Sequence, residues 1–266
     1  MMAWPVAALA FAFGAVMGSF LNVCGVRIPK GESIVVPGSH CPRCRTPIAW
    51  YDNVPIVSFL WLRARCRHCG ERISWQYPLV ELASALLAVA LAARFGPSPA
   101  ALVLYAFGAA LIVVTLVDLE IQIIPDAISL PGIGLGLAFA PLSPFFAQPG
   151  GTLLGALMGA LVGALVGGGG LFVVGTAYLA LTRREGMGGG DVKLLAMIGA
   201  FLGWPGVLVT LLVGSFTGAV VGVAIMVRQH RDARLPIPFG PFLALGALFY
   251  LLGGDLAFKW YAGLTE

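Results

Sequence analysis

Apolar runs about as long as a bilayer is thick recur along most of this chain, and they decide its fold class before any motif is considered. They lie near residues 3–26, 78–95, 99–118, 127–147, 151–182, 192–203, 205–228 and 239–259. A helix needs about 20 consecutive apolar residues to cross the hydrocarbon core. Only 11% of the residues are charged, where a soluble domain carries about 25%, and mean hydropathy is +0.93. The chain therefore reads as an all-α polytopic membrane protein with about eight transmembrane helices, the sixth short and the fifth long enough to bend. The first run, Ala3 to Val26, lacks a basic start and ends at Arg27, so it reads as a retained span and not a cleaved signal.

Charge gives the orientation. Eight of the 16 Lys and Arg fall in the single long polar segment 27–77: Arg27, Lys30, Arg43, Arg45, Arg63, Arg65, Arg67 and Arg72. Arg183, Arg184 and Lys193 flank a glycine-rich loop, and Arg228, Arg231 and Arg234 follow the seventh run. With about eight spans all three clusters fall on one face, which the positive-inside rule makes cytoplasmic. The net charge of +4 thus reflects membrane topology, and nucleic acid is not an expected partner; the lipid bilayer is. Three segments follow: a first span (1–26), a cytoplasmic four-cysteine insert (27–77) and a transmembrane domain (78–266). No internal repeat stands out. Small residues recur at three- and four-residue spacing over Gly151 to Gly175, a pattern that lets helix backbones approach closely in lipid.

The insert holds Cys41-Pro-Arg-Cys44 and Cys66-Arg-His-Cys69, with 21 residues between the pairs. Each C-x-x-C puts two thiolates on a tight turn, and two such turns complete a tetrahedral sulfur site of zinc-ribbon type. A cytoplasmic location argues against disulfides. Structural zinc held by Cys41, Cys44, Cys66 and Cys69 is the expectation, stapling an insert with too little apolar surface to fold unaided, with an iron–sulfur or redox role as the alternative. His40 and His68 read as bystanders and Cys24 as packing.

The 12 acidic residues can be sorted by position. Glu81, Asp118, Glu120, Asp126 and Asp191 lie close to apolar runs near the cytoplasmic face, where acids are functional candidates. Asp126 beside Pro125 suits a helix start, and Asp191 before Val192 could be an N-cap. Asp118 has no such reason: it ends an apolar run, where a helix C-terminus disfavours negative charge. Asp118 and Asp191 are expected at one depth. Brought together, two such carboxyls would share a proton, one activating water and the other protonating an amide nitrogen, the logic of aspartic proteolysis. The glycines at 188–190 would let a peptide backbone approach. Capping, proton relay in a proton-coupled transporter, and a zinc-bearing scaffold without catalysis are the alternatives these residues leave open.

The same residues resemble a known family, the bacterial type IV prepilin peptidases. The likeness covers nearly the whole chain: Gly18-Ser-Phe-Leu-Asn-Val23, the two C-x-x-C pairs, Asn53-Val-Pro-Ile56, Tyr77-Pro-Leu-Val-Glu-Leu82, Asp118 with Ile124-Pro-Asp126, Gly-x-Gly-Asp at 188–191, and Pro236-Ile-Pro-Phe-Gly-Pro241. The resemblance implies a bacterial inner-membrane aspartic endopeptidase with Asp118 and Asp191 as its catalytic pair. Its substrates would be type IV prepilins or type II secretion pseudopilins, cut after a glycine at the cytoplasmic face. It also implies methylation of the new N-terminus with S-adenosylmethionine as donor. No Rossmann fingerprint marks a donor site; Asn53 and Glu81, with the cysteines, are the residues expected to support it.

Overall fold

The computed structural model describes residues 2–146, 152–183, 188–229, 237–256, 258 and 263. Among them there is helix but no strand, apart from two isolated bridges in the polar insert. Five helical stretches are long and apolar enough to cross a membrane, Trp4–Lys30, Gln76–Phe95, Pro99–Ile121, Leu153–Thr182 and Gly189–Arg228, and two shorter apolar ones accompany them, Asp126–Leu142 and Gly240–Gly254. The all-α, multi-pass architecture is as expected from the hydropathy. The chain forms two compact units, Met1–Leu116 and Val117–Glu266.

The first unit contains α1 (Trp4–Arg27), the short α2 (Val57–Trp61), α3 (Gln76–Phe95) and most of α4 (Pro99–Ile121). Pro5 opens α1 in its first turn, where a missing N–H costs nothing. Gly96, at φ 70°, closes α3. Helices α1 and α3 touch backbone to backbone. A Cβ on Gly14 would fall 2.6 Å from the Ala85 Cα, and one on Gly18 equally close to the Glu81 Cα. Glycines four apart thus cut the groove that α3 occupies. Ser84 secures the contact: its hydroxyl donates to the Gly14 carbonyl at 2.7 Å and pairs with the Tyr105 hydroxyl at 2.6 Å. Both hydroxyls of this contact are thereby partnered in an apolar setting.

The second unit is built on α8 (Gly189–Gln229), which packs against α5 (Asp126–Phe139), α6 (Leu153–Ala164) and α9 (Gly240–Phe249). A π turn at Leu165–Gly169 joins α6 to α7 (Gly170–Thr182), and another at Tyr250–Gly254 extends α9. The long fifth run is therefore one continuous helix with a π turn in it, and Gly167 and Gly168 lie within that turn. Helix α8 is interrupted at Gly203, whose φ of 74° is non-helical. Pro205 follows two residues later and cannot supply an N–H to the preceding turn. The break lies at the boundary expected between the sixth and seventh runs.

Small-residue packing is tightest where α6 crosses α8. A side chain on either Gly163 or Gly199 would collide with the carbonyl oxygen of the other. The expectation for the glycines of 151–175 holds at Gly163 and Gly167, whereas Gly169, Gly170 and Gly175 face open space. These two environments predict opposite outcomes for one substitution. Gly199→Ala is expected to destabilise by about 1–3 kcal/mol through overpacking. Gly175→Ala is expected to be neutral or to stabilise by up to about 1 kcal/mol through helix propensity. Thermal unfolding midpoints of the purified variants in detergent check the pair.

Candidate active site and metal centre

Asp118 sits in the last turn of α4 and is 4% exposed. The helix stops just beyond it. Gln122 adopts φ 56° and its N–H bonds back to the Asp118 carbonyl at 2.9 Å. A carboxylate at this pole faces the negative end of the helix dipole. It is met by the opposite pole of another helix: the Gly240 N–H, at the first residue of α9, donates to Asp118 Oδ2 at 2.9 Å. The position that looked costly from sequence therefore has a compensating contact.

Asp191 is the third residue of α8. It is not an N-cap, because the helix has already begun at Gly189. Its own N–H bonds to the Gly188 carbonyl at 3.2 Å. Ile124 brings the two helix starts together: its Cβ lies 2.9 Å from where a side chain on Gly190 would begin, and its Cδ1 lies 3.4 Å from the same point on Gly240. The first turns of α8 and α9 thus converge on the end of α4, which brings the segments carrying Asp118 and Asp191 to one place.

The remaining acids of the region have ordinary roles. Asp126 opens α5 behind Pro125, which occupies the N-cap. It pairs with Lys193 at 2.7 Å, tying the start of α5 to the first turn of α8. Glu120 is exposed. Arg184, Glu185 to Met187, Arg231, Asp232, Arg234 and Pro236 lie outside the described residues. Gly240 belongs to a motif legible in the sequence, but nothing there marked it as a neighbour of Asp118: its contribution is a main-chain N–H, which every residue but proline carries.

In the first unit the four cysteine sulfurs of Cys41, Cys44, Cys66 and Cys69 lie within 4.8 Å of one another. Cys41 Sγ is 3.8 Å from Cys69 Sγ and Cys44 Sγ is 4.0 Å from Cys66 Sγ. These two separations are close to the sulfur–sulfur edge of about 3.8 Å that four thiolates around one ion would have at a metal–sulfur distance of about 2.3 Å. All four thiols are free. The two halves repeat one backbone pattern that spacing alone had not revealed. Cys41 N–H bonds to the Thr46 carbonyl and Arg45 N–H to the Cys41 carbonyl; Cys66 N–H bonds to the Glu71 carbonyl and Gly70 N–H to the Cys66 carbonyl. Arg45 and Gly70 take the matching left-handed position, at φ 56° and 71°. Each half is closed by a bridge, His40 to Pro47 and Arg65 to Arg72.

The thiols differ in ease of ionisation. The Thr46 hydroxyl and N–H bring Cys44 down to about 6. Backbone N–H groups of Cys69 and His68 lower Cys66. Lost hydration and then the neighbouring sulfurs push Cys69 up to about 12. Four thiolates this close require a cation to be ionised together, which is the chemistry of a metal-binding donor set. Around the cluster, Arg43 pairs with Glu71 across the two halves. Arg67 pairs with Asp52 at 2.6 Å and 2.7 Å, and its hydrogen bonds hold that carboxyl below the usual carboxylate range.

Glu81 reaches the segment that carries Asn53. Glu81 Oε2 accepts from the Ile56 N–H at 2.7 Å. Ile56 has φ 63°, a strained value for a β-branched residue, so Glu81 pins the turn that carries Asn53. Asn53 lines a cavity of about 290 Å³ together with Ser19, Arg27 and Ser39. The Arg27 guanidinium is engaged by the carbonyls of Ser33 and Pro37, at 2.9 Å and 2.7 Å.

Residues 12–95 match the bacterial peptidase A24 N-terminal domain, and residues 102–223 match the type IV leader peptidase family. A protein of Aeromonas hydrophila named prepilin leader peptidase/N-methyltransferase is 39% identical, over 97% of this chain and 94% of its own length. Proteins of the same name from Pseudomonas putida and Pseudomonas aeruginosa are each 37% identical, over 93% of this chain and 90% of theirs. No solved structure gives a significant match. Similarity at this level along almost the whole chain, with both family domains in order, leaves one assignment: this multi-pass membrane protein belongs to the type IV leader peptidase family.

Proposed function

We propose that the chain is a bifunctional membrane enzyme that removes the leader peptide from type IV prepilins or type II secretion pseudopilins and methylates the N-terminus it exposes. The observation that carries the peptidase half is the convergence of Asp118 and Asp191 at three helix ends. Two carboxyls brought close together would share one proton. The ionised member takes a proton from water as the water oxygen attacks the scissile carbonyl. The protonated member delivers its proton to the departing amide nitrogen. Gly188 and Gly189, exposed beside Asp191, leave room for an extended peptide backbone.

The cut is placed at the cytoplasmic face of the inner membrane. Arg183 and Lys193, at the facing ends of α7 and α8, support that side by the positive-inside rule. Domain by domain, residues 78–266 would carry the peptidase and 27–77 the four-cysteine insert. Structural zinc fits the cysteine tetrahedron in donor type and edge length, and its role would be to staple the insert. For methylation, S-adenosylmethionine would supply the methyl group to the new N-terminal amine. Asn53, on the wall of the cavity, and Glu81, which holds the Asn53 turn through Ile56, are the residues offered for its binding. Nothing in the fold or among the relatives favours the proton-coupled transporter.

Two outcomes are expected. Asp118→Asn and Asp191→Asn should each lower prepilin cleavage in membranes by at least about a thousandfold, as loss of one member of a dyad does. Mass spectrometry of a co-expressed prepilin reads cleavage, and a further gain of one methyl group reads transfer. Complete processing by both variants would end the aspartic reading. The wild-type protein should carry about one zinc per chain. Cys41→Ser/Cys44→Ser should carry none, and the wild type should lose its metal as falling pH protonates the thiolates. Elemental analysis across a pH series decides this, and stoichiometric zinc in the double variant would refute the four-cysteine site.

A further inference from the structure

The main-chain N–H of Gly240 donates to Asp118 Oδ2 at 2.9 Å, and both groups are buried. Among the described residues no other hydrogen bond reaches this carboxyl. The rest of the first turn of α9 is committed elsewhere. Pro241 has no N–H, and the N–H groups of Phe242 and Leu243 both bond to the Phe239 carbonyl at 3.1 Å. The positive end of α9 is therefore directed at Asp118 through one amide.

A backbone N–H can only donate, so Oδ2 must be the acceptor and carries no proton in that direction. The proton shared by the pair has two remaining places, Oδ1 of Asp118 or Asp191. An amide donor held by a helix favours the charged form of the carboxyl it meets. The identity of residue 240 follows from the same geometry. Its backbone does not adopt a left-handed conformation, so conformational freedom is not what requires glycine. A Cβ there would fall 2.6 Å from Asp118 Oδ2 and 3.2 Å from its Cγ. Every other residue type would drive the carboxyl out of place.

Resting on the peptidase reading, we propose that Gly240 is a positioning residue that fixes Asp118 as the base and Asp191 as the acid of the reaction. Water gives a proton to Asp118 Oδ1 while its oxygen bonds to the scissile carbonyl carbon. Asp191 gives its proton to the amide nitrogen as the carbon–nitrogen bond breaks. Proton exchange between the two carboxyls, or with solvent, then restores the starting state.

The contact has an ordinary alternative, in which Asp118 merely caps α9 from a neighbouring helix. The two are separated by deleting the N–H without adding an atom. The full-length protein is made with glycolic acid in place of Gly240, which turns that amide into an ester. The expected result is a fall in kcat for prepilin cleavage of about 10- to 100-fold, the worth of a hydrogen bond to a charged group. KM and the thermal midpoint should stay near wild type. Gly240→Ala should lose more activity, because it displaces the carboxyl as well. Wild-type kcat in the ester variant overturns the proposal, as does a kcat loss matched by an equal collapse in thermal midpoint, which would mark a helix cap. Asp118→Asn in the same assay keeps the two readings apart. If it is inactive while the ester variant is fully active, only the role of Gly240 fails; if it is fully active, the aspartic reading itself fails.

Discussion

A carboxyl buried among apolar helices must be met by a donor that does not move away, because no bulk water is present to replace it. Here the donor is the Gly240 N–H, 2.9 Å from Asp118 Oδ2, and the arrangement of the second unit follows from presenting it. Helix α4 ends at Ile121, α9 begins at Gly240 and α8 begins at Gly189. Three helix ends thus meet at one level. One negative pole and two positive poles meet there, and the donor from α9 offsets the cost of a carboxyl at the end of α4. Ile124 fills the space between the two glycines that open α8 and α9. It is the apolar spacer of the site.

Glycine makes such a meeting possible elsewhere in the bundle. In lipid there is little hydrophobic drive between helices, so close backbone contact and hydrogen bonding must supply the association. Gly163 and Gly199 bring α6 against α8, and Gly14 and Gly18 bring α1 against α3. Helix α8 is the member that holds the second unit together, and it carries Asp191 in its first turn. Packing around α8 and the placement of that carboxyl are therefore one structural problem. The Lys193–Asp126 pair adds a polar tie at the same end.

The polar insert solves a different problem. A segment of about fifty residues with an exposed Trp50 and Trp61 buries too little to be stable alone. Two copies of one turn, each holding its first cysteine by paired main-chain hydrogen bonds, bring four sulfurs within 4.8 Å of one another. Glu81 reaches from α3 to fix the strained turn at Ile56. The carboxylate of Glu81 thus has a partner in the chain's own backbone, three residues beyond Asn53.

What could be read from the chain alone was whatever depends on local periodicity and residue chemistry. Apolar length and charge content were enough for the multi-pass helical class and the interruption near Gly203, because each follows from neighbours in sequence. Two C-x-x-C pairs indicated four thiols at one point, and residue type with position singled out Asp118 and Asp191. Only the tertiary structure decided that Asp191 lies inside a helix turn instead of capping it. It also decided which glycines face a neighbouring backbone and which face open space, and that the cost of Asp118 at a helix C-terminus is offset by the start of α9. These depend on contacts between residues as far apart as 118 and 240. The decisive group in the last case is a main-chain N–H, which has no signature in the sequence.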